Sequence, residues 1–184
     1  MAVMICATIS PTSTKPLVDP VRWAMNAARI SVGITTAMVR GAPRSEDAMR
    51  GLARFVEDAP IVAHNAGFER GFIEATLTAD DPAPPYRYLC TMRLARRLYP
   101  QAPNHRLGTL AARTGITFEG AAHRALPDAR CTARLLLLMH DHLRAKYEIA
   151  MADVALLLAL QRKPKAQVDA FLRALAIPPR VAAG

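Results

Sequence analysis

The sequence predicts an α/β domain, and three observations carry that prediction. Short apolar runs with β-branched residues occur near the start of the chain and again at Ile61–Ala63. Segments with apolar residues at helical spacing follow them, so strands and helices alternate along the chain. The 184 residues are 52% hydrophobic and 21% charged, which excludes a disordered chain and leaves enough apolar surface for one core.

Residues 2–9 (AVMICATI) read as a strand, ended by Pro11 and a Ser/Thr cluster. Residues 15–18 read as a second strand, stopped by Asp19-Pro20. Over residues 45–58, Met49, Leu52, Ala53 and Val56 recur at helical spacing, with Ser45 as the expected N-cap. Pro60 then opens Ile61-Val62-Ala63, a run apolar enough for a strand buried on both faces. Phe68, Phe72, Ile73 and Leu77 give the next helix, and DDPAPP at residues 80–85 gives a loop. Residues 86–90 alternate like a strand. Residues 92–99 form a short helix closed by Pro100, and residues 107–114 form another with Gly115 at its C-terminal stop. Pro127 suits the first turn of a helix whose apolar positions continue through Leu138 and Leu143. Residues 151–160 and 166–175 are two further helical segments, split by Lys163-Pro164. The expected organisation is therefore a domain over residues 1–147 and a helical C-terminal appendage over residues 148–184, packed on the domain by default.

Composition narrows the function. Lys and Arg number 24 against 15 Asp and Glu, a net charge of +9, and the isoelectric point is near 10.2. Such an excess favours polyanionic partners through counterion release, so nucleic acid is the leading class. Cys6, Cys90 and Cys131 are few, odd in number and far apart, which argues against a disulfide framework or a zinc ribbon. No apolar run approaches the length of a membrane span. Residues 1–14 carry no secretory pattern, so a cytoplasmic protein without a membrane partner is expected.

Two clusters could carry chemistry. One is Ala63-His64-Asn65-Ala66-Gly67-Phe68-Glu69, where a strand turns into a helix. The other is His123-Arg124-Ala125-Leu126-Pro127-Asp128-Ala129, where a loop turns into a helix. An Asp in a first turn can hold a metal ion while a preceding His takes a proton from bound water. Taken singly, His123 is an ordinary surface or capping histidine, Asp128 a first-turn acid suited to the helix dipole, and Glu69 a solvated helix charge. Their weight lies in combination. Arg93, Arg96 and Arg97 share one helix face by spacing, and with Arg106, Arg113, Arg124 and Arg130 they suit phosphate tracking along a single strand.

HNAGFE and HRALPDA, in this order and about 60 residues apart, resemble the second and third motifs of the DEDDh 3′–5′ exonucleases. CTMRLARRLYP at residues 90–100 is similar to the corresponding stretch of exodeoxyribonuclease X, and NHRLGTL at residues 104–110 to related exonucleases. The resemblance covers about residues 2–147. It implies an RNase H-like fold, with a mixed sheet flanked by helices. It also implies a pair of divalent metals, Mg²⁺ or Mn²⁺, on carboxylates, and release of nucleoside 5′-monophosphates from a 3′ end. Carried over, His123 matches the general base, Asp128 the last metal-binding acid and Glu69 the acid of the second motif. His64 and Asn65 match the strand-end pair that frames the site. Phe68 and Arg124 are the neighbouring candidates for base and phosphate contact. The implied partners are single-stranded DNA 3′ ends and DNA polymerase or repair proteins. The terminal helices offer a surface for a homodimer.

The first motif of the family, Asp-x-Glu on a central first strand, has no counterpart, since no Asp or Glu precedes Asp19. Residues 2–9 align with the family's second strand, so the first strand is expected to be lacking and the chain to begin after it. Glu69 stands where the family carries Asp. With too few carboxylates, metal affinity and catalysis are expected to be weak. The alternative is a non-catalytic nucleic-acid- or polymerase-binding module derived from such an exonuclease.

Overall fold

The computed structural model describes residues 3–4, 37, 40–77, 86–117 and 125–176. In chain order the elements are β1 (Val3–Met4), α1 (Ser45–Val56), β2 (Ile61–Ala63), α2 (Gly67–Thr76), β3 (Tyr88–Cys90), α3 (Thr91–Leu98), α4 (Leu107–Thr114), α5 (Ala125–Tyr147), α6 (Val154–Leu160), a 3₁₀ turn (Lys165–Gln167) and α7 (Val168–Ala176). The expected strand at residues 15–18, the loop at residues 80–85, and both His123 and Arg124 lie outside the described residues.

The strands form one sheet in the order β1-β2-β3. Both pairings are parallel, with Val3 opposite Ile61 and Val62 opposite Leu89. A mixed sheet was expected; the strands among the described residues are all parallel. A second difference concerns β1. The resemblance reserves the place beside the His64–Asn65 strand for the family's first strand and leaves it vacant here. Val3–Met4 occupies that place instead, so β2 has a hydrogen-bonded neighbour on each side. That removes the cost of about 1–3 kcal/mol for each orphaned buried backbone group.

The central strand β2 is buried at all its residues, as its unbroken apolar run requires of a strand covered on both faces. The two-residue period of a strand sorts its side chains. Val62 and its neighbour Leu89 face the large core, with Leu94, Leu98, Leu110, Leu135, Met139 and Leu143. Ile61 faces the other way, with Val56 of α1 and Ile73 of α2. Leu157 and Leu160 of α6 and Leu172 of α7 belong to the same core as Val62 and Leu89. Residues 154–176, read from sequence as an appendage, therefore contribute to the core of the sheet-bearing part.

The helix ends follow local chemistry. Gly115 closes α4 in the left-handed region at φ 71°, a conformation glycine adopts without a Cβ clash. Asp153 caps α6, its carboxylate accepting from Leu156 N at 2.7 Å. That cap is why the helix begins at Val154 and not at Met151. Ser45 is the first helical residue of α1; the N-cap is Arg44, which makes no side-chain cap. The Ser45 expectation was off by one position.

Candidate active site

The carboxyl end of β2 carries the first cluster. Asn65 takes a left-handed conformation at φ 79°, which Asn tolerates better than most residues. Its carbonyl accepts from Phe68 N at 2.9 Å, which turns the chain into α2. Asn65 is exposed and Phe68 half-buried. Asn65 thus frames the crevice mainly through its backbone.

His64 has both ring nitrogens engaged. Nε2 lies 2.8 Å from the carbonyl of His105, and Nδ1 lies 2.9 Å from Thr91 Oγ1. A carbonyl only accepts, so Nε2 carries the proton and Nδ1 of the neutral ring accepts from the Thr91 hydroxyl. Burial holds the ring below the ordinary histidine value, against the opposing pull of the His105 carbonyl. Thr91 is fully buried and its hydroxyl also lies 3.4 Å from the carbonyl of Ala63. The His105 ring reaches the carbonyl of Tyr99 at 3.1 Å. One imidazole therefore ties the end of β2 to the start of α3 and to the segment before α4. Both ring nitrogens of His64 are thus occupied within the fold.

The two acids sit in helix first turns. Glu69 is in the first turn of α2 and is 2% exposed. It lies one turn from Ile73, on the same buried face. The sequence reading of a lone Glu69 as a solvated charge does not hold. Asp128 is in the first turn of α5 and is 3% exposed. Its charge bears on His64, as does that of Arg96. Asp128 also pushes up the Cys131 thiol, second to burial. Both acids thus belong to the carboxyl end of β2, where α/β folds place their crevices.

Carboxylate oxygens suit a hard divalent cation in kind. In number they fall short: among the described residues no group of three or more His, Cys, Asp or Glu side chains gathers that could hold a metal. Val3 and Met4, beside β2, carry no ligating oxygen in their side chains.

Sequence reading missed Thr91, His105 and Gln161. Thr91 and His105 meet His64 from 27 and 41 residues away, and no local pattern announces such a contact. Arg97, assigned from spacing to a phosphate-tracking face, is partly spent inside the fold. Its Nε donates to the carbonyl of Lys163 at 2.9 Å and its Nη1 to that of Arg93 at 3.0 Å.

A parallel α/β layer with buried carboxylates in the helix turns near the carboxyl end of its central strand defines a class: an α/β protein with acids gathered at its strand ends. Residues 14–136 match the family described as RNase_T, Exonuclease, which is more than half of the chain. The chain belongs to this exonuclease family, of DEDDh type, and the family carries the RNase H-like α/β fold. Over 107 residues, 56% of the chain, it is 44% identical to a Mycobacterium tuberculosis protein named “Putative bifunctional exonuclease/endonuclease protein”. Over 124 residues, 64% of the chain, it is 36% identical to the PolC-type DNA polymerase III of Halalkalibacterium halodurans. The PolC-type DNA polymerase III of Bacillus subtilis is 38% identical over 111 residues, 58% of the chain. The matched segments span 16% of the mycobacterial protein and 8% of each polymerase. No helix among the described residues is long and apolar enough to cross a membrane.

Proposed function

We propose that this chain is a 3′–5′ exonuclease domain that acts on single-stranded DNA. The observation that carries the reading is the burial of Glu69 and Asp128 at the carboxyl end of β2, within a chain of the exonuclease family. Carboxylate oxygens are the kind of ligand that a hard divalent cation prefers. Glu69 and Asp128 are the residues that would hold Mg²⁺ or Mn²⁺, two carboxylates of a set that is short in number, and such an ion would supply activation of water and support for the departing 3′ oxygen. His123, by its resemblance to the family base, would be the proton acceptor in that hydrolysis. His64 holds the framing turn in place through Thr91 and His105. Arg96 and Arg124 supply positive charge for the phosphate, and Phe68 a face for the terminal base.

A second reading, a module that binds nucleic acid with little or no cleavage, is favoured by Val3–Met4 beside β2, where the family places carboxylates. The relatives named as PolC-type polymerases make a polymerase-associated role reasonable under either reading. One experiment separates the two. A 5′-labelled single-stranded oligodeoxynucleotide is incubated with the chain and Mn²⁺, with its 3′ end either free or blocked. Stepwise shortening of the free-ended strand alone supports the exonuclease. Retention of the strand without shortening supports the binding module.

A further inference from the structure

A cavity of about 280 Å³ opens on the β3 side of the sheet, between the start of α2 at Ala66 and Gly67, β3, the start of α3 and the end of α6, and neither Glu69 nor Asp128 lines it. Arg70, Arg87, Arg93, Arg162, Tyr86 and Tyr88 line it, and no Asp or Glu does. Its charge is poorly offset. Arg70 pairs with Glu74 at 2.8 Å. Arg87 spends one nitrogen on the neutral carbonyl of Asp58, at 2.6 Å. Arg93 and Arg162 are exposed and make no ion pair among the described residues. Four guanidinium groups with one carboxylate in compensation give the cavity a positive potential that attracts anions.

The tyrosines add to the case. The hydroxyl oxygens of Tyr86 and Tyr88 are buried away from the groove's opening, and burial pushes the Tyr88 phenol up to about 12, so it stays protonated and adds no negative charge beside the guanidinium groups. Phosphate oxygens are acceptors only, and the planar guanidinium fork matches them in bidentate fashion. The rings of Tyr86 and Tyr88 meet edge to face at 6.4 Å. They give the cavity an aromatic wall among cations, the composition of a sequence-tolerant groove for single strands.

We infer that the groove lined by Arg93, Arg162, Tyr86 and Tyr88 is a second binding site, one that takes the phosphodiester backbone of a single-stranded nucleic acid along the β3 edge of the sheet, beside the turn into α2 and apart from Glu69 and Asp128. The inference rests on the nucleic-acid reading above and extends it to a surface partly built by α6. It also gives the C-terminal helices a functional role, since Arg162 follows α6 directly.

The test is equilibrium binding of a fluorescent oligodeoxythymidylate of about 20 nucleotides, followed across a salt series without metal. The native chain is compared with an R93Q/R162Q double variant, whose two sites are exposed and lie outside the core. Two fewer phosphate contacts are expected to flatten the log–log salt slope by about 1.4 and to weaken binding at low salt at least tenfold. An unchanged slope and affinity in the double variant would overturn the groove while leaving the exonuclease reading intact. No binding by the native chain at any salt would overturn both. A competition arm with inorganic phosphate settles the source of the phosphate group. Displacement of the strand from the native chain by millimolar phosphate, with equal displacement from the double variant, also counts against the groove.

Discussion

Gln161 lays its side-chain amide along the edge of β3 and pairs with it as a neighbouring strand would. Its Oε1 accepts from Cys90 N at 2.8 Å and its Nε2 donates to the carbonyl of Tyr88 at 2.9 Å. Residues two apart in a strand present their N–H and C=O groups to the same side, so one primary amide satisfies both. Gln161→Leu keeps the volume and removes both partners. The expected loss is about 1–3 kcal/mol in unfolding free energy, read from the urea midpoint with an unchanged slope. A loss below about 0.5 kcal/mol, the level of an ordinary surface change, would show that water replaces the amide.

The neutral state of His64 predicts a pH dependence. Burial holds its folded value below the ordinary histidine range near 6.5, so the unfolded chain binds the proton more readily. Stability from this group is complete above about pH 6.5 and is lost as the pH falls through the folded value. The slope is at most about 1.4 kcal/mol per pH unit. His140 and His142 are also held low by burial, so the native profile alone does not isolate His64. The stability gap between the native chain and His64→Gln does: it is expected to narrow from about pH 8 to pH 5. A gap constant with pH would contradict the neutral assignment.

Asp153 fixes where α6 begins, and α6 places both Leu157 and Leu160 in the core and Gln161 on β3. Asp153→Ala is expected to cost about 0.5–2 kcal/mol, while Asp153→Ser or Asp153→Asn restores most of it. Thermal unfolding of the three variants checks the order. Equal stability of the alanine and serine variants would remove the cap from the account.

Much of the helical framework was legible because periodicity is local. Val56, Leu94, Leu98 and Leu110 are buried where their spacing puts them, and Gly115 ends α4 as its missing Cβ allows. Buried runs were equally plain at Ile61–Ala63, since a strand covered on both faces has no polar alternation to disguise it. What sequence could not reveal depends on contacts between distant segments. Gln161 looks like the polar residue that follows any apolar helix, until β3 arrives 71 residues away in sequence. His64 resembles a site histidine, and only the approach of Thr91 and His105 shows that its ring is occupied. Strand order is also non-local, which is why residues 2–9 were aligned with the family's second strand while Val3–Met4 pairs directly with β2. The buried state of Glu69 escaped a reading that treated a charge on a helix as solvated by default.

The central claim is that Asp128 and Glu69 serve phosphodiester hydrolysis at the carboxyl end of β2. Its most direct test is the rate at which nucleoside 5′-monophosphates leave a single-stranded oligodeoxynucleotide in Mn²⁺, for the native chain and for Asp128→Asn. The account predicts slow release from the 3′ end by the native chain, abolished by chelation. It predicts a rate lower by at least about tenfold in Asp128→Asn, the scale of losing one group that acts in the transition state. Release at the same rate by both proteins, or by neither, would contradict it.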